Sequence, residues 1–274
     1  MSQQPDSARN RSEAELIRQE SIFGRLPLLP DEREYDTRGA HSTCFSYAVA
    51  TWCFLTGGYV SLYVGAIQGA ICLVAGAVIG CYLTTMAPAL ACQRYGLEQM
   101  DQCKSAFGQK GSRILLLFYL INQLGWTGLI LVMFGNGIRN TMSGLGFAPP
   151  GWIVGAGVAL GLWLVYLLAT RGVHLMNVTN AYVGPALVLL TVGMFYLLLR
   201  DYGWAQIVAA EPLDPFDNPW FNYMIVLELS IAGGISWWGG VGFLARNTTT
   251  RRNAIYPEIL HLGAGAGLVS CVGL

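Results

Sequence analysis

The residues best suited to chemistry lie in two glycine-rich interruptions of apolar chain. Thr56-Gly57-Gly58 interrupts one run, and in another Gly233-Gly234 and Gly239-Gly240 flank Trp237-Trp238. Glycine weakens a helix interior by roughly 1 kcal/mol relative to alanine, so each stretch is expected to unwind the helix that carries it. Inside a bilayer, unwound backbone persists only where protein or a water-filled cavity satisfies its polar groups. The chemistry on offer is therefore binding: half-helix dipoles and freed carbonyls for an ion or a polar group, and indole faces for a planar ring. Glu228 adds an ionisable side chain inside an apolar run, a functional position by default in a membrane.

Enzymatic chemistry finds no foothold. The seven cysteines, at 44, 53, 72, 81, 92, 103 and 271, contain no CxxC, and His41, His174 and His261 are far apart. No metal-ligand spacing, nucleophile motif or phosphate loop is present, so no enzyme and no resident cofactor are expected. A nucleic-acid partner is not expected either.

The elements that must position these residues are membrane helices. The chain is 54% hydrophobic and 12% charged, and no charged residue occurs between His41 and Arg94. A bilayer core takes roughly 20 helical residues to cross, so that stretch alone holds two spans. Seven spans are expected, at about 43–64, 66–91, 114–138, 152–170, 178–199, 221–245 and 259–274. Residues 1–41 read as a disordered polar tail, and 42–274 as the transmembrane domain. Gly76 and Gly80 in the second span, and Gly151, Gly155, Gly157 and Gly161 at the fourth, have the spacing that lets helices approach closely. Residues 93–113 read as a polar loop.

Fourteen of the sixteen Lys and Arg residues fall in the tail and in alternate loops, leaving only Arg139 and Arg200 on the other side. The positive-inside rule then puts the N-terminus in the cytoplasm of a multi-pass cell-membrane protein. The last run is still apolar at Leu274, so the sequence reads as part of a longer protein. The interrupted spans are the first and the sixth, the spacing of a five-helix unit followed by an inverted copy. In such folds substrate and coupling ion bind near the midplane.

The stretch from Arg94-Tyr95-Gly96 through Phe107-Gly108 to Gly111-Ser112, followed by Trp126-Thr127-Gly128, resembles the second-to-third-helix signature of the nucleobase–cation symporter family. That family includes purine and cytosine permeases and hydantoin and allantoin transporters, and its fold belongs to the amino acid–polyamine–cation superfamily. The resemblance implies an all-α, five-plus-five inverted-repeat (leucine-transporter-like) fold, of which this chain covers the first repeat and the start of the second. It also implies alternating access and a flat heterocycle held between two tryptophans. Carried over, these are Trp126 and Trp238, with Thr56, Gly58 and Gly234 at the helix breaks. Where the family often has a glutamine four residues after the first tryptophan, this chain has Ile130, and Gln123 on the preceding turn is the expected substitute. The acidic residue often found nine after the second tryptophan is Asn247 here. The resemblance places part of a sodium site near Cys53 to Gly57, with Phe54 and Gly57 as candidates. Glu228 is the candidate for a coupling proton.

The function so implied is cation symport of a small planar nitrogen heterocycle, with sodium or a proton as coupling ion and the bilayer as surroundings. An amino-acid or amine carrier of the same architecture is the alternative within transport. A non-transporting receptor or assembly subunit is the alternative outside it.

Overall fold

The computed structural model describes residues 26–274, apart from the side chains of 171–174, 176 and 177. Its regular secondary structure in this range is helical, apart from an isolated parallel bridge between Tyr35 and Thr248. The chain divides into two compact units, one built from residues up to Gln102 with Asn180–Leu274, the other from Cys103–Thr179.

The first unit opens with a broken helix, α1 (Thr37–Ala48) and α2 (Trp52–Val60). Asp36 caps α1 by accepting the Gly39 N–H at 2.7 Å. The break falls at residues 49–51, not at Thr56-Gly57-Gly58 as the glycines suggested. Val49 leaves the helical region at φ −92°, ψ 70°, and neither it nor Ala50 or Thr51 is a glycine. What replaces the lost helical bonds is local: Cys53 Sγ donates to the Ala48 carbonyl at 3.2 Å, and Cys53 N to that of Ala50 at 3.0 Å. Gly57 serves packing instead, because a Cβ there would overlap the Ser270 carbonyl.

α3 (Ala66–Met86) runs against α7 (Pro219–Ile235) through the expected small residues. A Cβ on Gly76 would strike Ser230, and one on Gly80 the backbone at Ile231. The region 93–113, expected as a loop, is mostly helical. α4 (Ala89–Tyr95) ends at Gly96, whose φ of 66° suits glycine, and α5 (Gln99–Gly144) begins three residues later with one non-helical residue, Gly108. Glycine thus punctuates this stretch without unfolding it.

Residues 26–41, expected as part of a disordered tail, instead form structure. Helix α1 starts at Thr37, and Tyr35 is buried, its N–H donating to the Asn247 carbonyl and its C=O accepting from Thr249 N. Residues 1–25 lie outside the described range. A polar sequence is held here because its backbone finds partners across the chain.

α6 (Ile153–Val208) carries both the fourth and fifth expected spans. The turn expected between them is helical backbone, since Gly172 is the only breaker in residues 170–179. The part from Asn180 onward belongs to the first unit, where Gly184 packs against Ser46 of α1 and the Asn180 carbonyl accepts the Ser46 hydroxyl at 3.1 Å. The proline-rich loop that follows is tied to the end of α2, Asp214 N donating to the Leu62 carbonyl at 2.8 Å while Phe216 stacks on Tyr63.

α7 gives way to a tight 3-10 turn (Ser236–Gly239) before α8 (Val241–Arg246). The seventh span begins earlier than expected, at α9 (Arg251–Pro257), capped by Thr250, and continues through a π-helical run (Glu258–Gly265) into α10 (Ala266–Ser270). Among the described residues, five stretches are long and apolar enough to cross a membrane: Ala66–Tyr95, Gln99–Gly144, Ile153–Thr170, Val178–Val208 and Arg251–Gly273. The two expected spans missing from that set are the broken ones, whose longest pieces are 12 and 17 residues. This is an all-α multi-pass membrane protein.

In the second unit, α5 and the first part of α6 meet through glycines: Gly157 against Gly135, and Gly161 against Leu131 and Phe134. Gly151 and Gly155 face open space and take no part.

Candidate functional site at the interrupted helices

The first unit encloses a small cavity where the two broken helices approach. Trp52 and Thr56 line it from α2, and Ser230, Gly233, Gly234 and Trp237 from α7 and the turn after it. Leu73 and Ala77 of α3 and Ser270 of α10 close the sides. It offers about 10 Å³ to the centre of a water-sized sphere, room for about one water molecule. Gly234 is needed for closure, since a Cβ there would press on the backbone of Ala77 and Cys81.

The lining is aromatic with a few hydroxyls. Trp52 and Trp237 meet edge to face, their centroids 5.8 Å apart at 68°. The indole nitrogen of Trp237 is buried and has no hydrogen-bond partner. Thr56, Ser230 and Ser270 each donate to a carbonyl four residues back, at 3.3, 2.7 and 2.8 Å, which leaves their lone pairs as acceptors. An apolar slot with one unused N–H donor and several hydroxyl acceptors suits a small, partly aromatic, polar-edged ligand.

The break after α7 is held by protein. Ser236 donates its hydroxyl to the Gly233 carbonyl at 2.6 Å, and Gly240 N donates to Trp237 O at 2.8 Å. Gln99, buried in the first turn of α5, donates from Nε2 to the Trp238 carbonyl and accepts the Gly242 N–H on Oε1 at 3.0 Å. One amide thus satisfies a carbonyl and an N–H that the lost helical turn released. Sequence reading passed over Gln99 because it lay in an expected loop.

Of the expected site residues, Thr56 and Gly234 reach the cavity. Trp237 lines it in place of Trp238, the expected choice, because the tight turn presents the two neighbouring indoles in different directions. Gly58 and Gly57 sit in regular helix, and their carbonyls accept from Ser61, the hydroxyl at 2.9 Å and the N–H at 3.0 Å respectively. Phe54 lies in the same helix, its carbonyl packed against Gly273. Neither Phe54 nor Gly57 is at the break.

Glu228 is exposed on α7. Asn222 is not its partner, since that side chain bonds both the N–H and the C=O of Phe216, at 2.9 and 3.0 Å. Trp126 and Gln123 belong to the second unit, where Trp126 is half-buried and Gln123 is exposed, accepting from Asn122 at 3.4 Å.

No family model and no curated protein matches this sequence. Among solved structures, the fold is similar to that of Mhp1, described as a nucleobase-cation-symport-1 family transporter in a closed conformation with bromovinylhydantoin bound. The similarity has a TM-score of 0.75 at 18% identity, and it covers 91% of this chain and 56% of that one. The broken first and sixth spans, the closely packed second, and the glycine-lined cavity among them therefore lie within an all-α membrane fold like that of Mhp1, a nucleobase-cation-symport-1 family transporter.

Proposed function

We propose that this protein is a secondary active transporter that imports a small planar nitrogen heterocycle together with a cation, by alternating access between inverted five-helix repeats. The observation that carries the reading is the cavity lined by Trp52, Thr56, Ser230 and Trp237, where two interrupted helices approach within a fold like that of Mhp1. Discontinuous helices at a cavity are the arrangement from which transporter sites are built. Trp237 supplies a rigid stacking face and an unused N–H donor, while Thr56, Ser230 and Ser270 supply acceptors for ring N–H groups. The bound compound in Mhp1 is a hydantoin, a flat ring with alternating N–H and C=O groups, which makes bromovinylhydantoin the natural first probe. The N-terminus is assigned to the cytoplasm from the distribution of Lys and Arg.

At about 10 Å³ the cavity does not admit a six- or five-membered ring without movement of its aromatic wall, so binding must displace Trp52 or Trp237. The test follows: tryptophan fluorescence of the purified protein in detergent, titrated with bromovinylhydantoin and with nucleobases, with and without sodium. Saturable quenching by a planar heterocycle is expected, and it should be lost in Trp237→Ala. Quenching by no planar compound, with a thermal shift for an amino acid instead, would replace this reading with the amino-acid carrier.

A further inference from the structure

The seventh span contains a carboxylate that the cavity does not use. Glu258 is 1% exposed, and neither side-chain oxygen has a hydrogen-bond partner. It opens the π-helical run Glu258–Gly265, and π-helical turns inside helices are frequent at functional sites. The helix is wedged there between α1 and α3. Its backbone touches α3 closely: the Glu258 carbonyl accepts from Cys81 Sγ at 3.4 Å, and a Cβ on Gly263 would press on Val78 and Cys81.

The groups that face the Glu258 side chain are neutral. From α1 comes the Cys44 thiol, with Tyr47 beyond it; from α3 come the Cys81 thiol and the Thr85 hydroxyl. On its own helix, Arg251, Arg252 and Tyr256 are exposed, and His261 is engaged by His41 at 2.9 Å. Among the described residues no cation stands against the carboxylate. An ionised carboxylate with no partner in such a place costs several kcal/mol. A neutral acid does not carry that cost, and an ionised one is relieved when the helix parts from α1 and α3 and water enters.

We propose that Glu258 is a proton-binding carboxyl group whose occupancy governs whether the seventh span packs against α1 and α3. The proton comes from water and returns to it: the acid form holds this packed arrangement, and loss of the proton favours the opened one. Set in the transporter reading, on which this rests, Glu258 is the group through which a proton gradient would drive the movement.

The test needs no substrate. Infrared difference spectra of the purified protein across pH, in H₂O and D₂O, should show the C=O band of a protonated carboxylic acid that titrates in the wild type and is missing from Glu258→Gln. In parallel, labelling of the neighbouring Cys44 and Cys81 by a small thiol reagent reports opening. Relative to Glu258→Gln, wild-type labelling should rise about tenfold per pH unit above the transition, the linkage expected for one proton. Glu258→Asp should restore a titrating band. Glu258→Gln mimics the acid form and should remain monodisperse. Identical infrared spectra of wild type and Glu258→Gln would overturn the proposal, as would labelling ratios that ignore pH. Loss of the band on adding sodium at fixed pH would overturn it in favour of a metal-cation site. Failure of the fluorescence titration would remove the transport reading and leave these results standing.

Discussion

The first and sixth spans are both interrupted, yet their interruptions are built in opposite ways. In the sixth, glycines surround the break: Gly233 and Gly234 lead into the 3-10 turn, and Gly239 and Gly240 lead out of it. In the first, the glycines lie a turn and a half beyond the break, in regular helix, and the break itself is made of Val49, Ala50 and Thr51. The difference shows that a glycine pair in a membrane helix signals close approach as readily as unwinding. Gly57 and Gly234 both exist to admit a neighbouring backbone, Ser270 in one case and Ala77 with Cys81 in the other. Of these two spans, the sixth alone combines that use with a change of helix type.

The two uses of glycine separate most clearly at Gly57. Gly57→Ala puts a methyl into the Ser270 carbonyl and the Gly273 backbone, neither of which is a flexible side-chain end, and should cost about 3 kcal/mol. Gly58→Ala meets only the Gly273 carbonyl at 3.8 Å and should be nearly neutral. Thermal unfolding in detergent reads both, and equal losses would refute the packing account of this glycine pair.

Next in size is Gln99→Ala. It strips the Trp238 carbonyl and the Gly242 N–H of their common partner, for a loss of about 2 kcal/mol. Faster hydrogen exchange at Gly242 would locate the effect at the sixth-span break; the first break should not respond.

A third contrast lies within the tryptophan pair. Trp237→Ala should weaken binding of a planar heterocycle by about 2 kcal/mol, on the scale of aromatic–base stacking. Trp238→Ala should change it far less, because Trp237 and not its neighbour lines the cavity. Isothermal titration of the two variants separates them, and a reversed order would return the site to Trp238.

The smallest effect is expected at Glu228. Exposed and away from the cavity lining, it should tolerate Glu228→Gln within about 0.5 kcal/mol of unfolding stability. A large loss in thermal unfolding would mean that the carboxylate has a structural partner.

Much of the fold was legible because long uncharged runs leave a chain few choices in a bilayer. The expected third and fifth spans lie inside observed helices, the second runs across α3 and α4, and the fourth starts one residue before α6, while Gly76 and Gly80 make the close contact that their spacing implied. The site was only partly legible. Thr56 and Gly234 reach the cavity, but Trp237 replaces Trp238, since a one-residue choice at a 3-10 turn depends on a local winding that residue types do not encode. Gln99 and Glu258 were missed for different reasons. Gln99 acts at a distance of 139 residues in sequence, and Glu258 stood just outside the expected seventh span.

Residue types alone are enough for the class, a helical multi-pass protein, because hydrophobic length acts locally and survives without tertiary context. Where each helix breaks, and which polar groups are left over, emerges only when distant segments pack. Val49 departs from the helix, Gln99 bridges the Trp238 carbonyl and Gly242, and Glu258 lies without a partner. Each of these outcomes depends on which backbone lies against which, and that is a property of packing between distant segments.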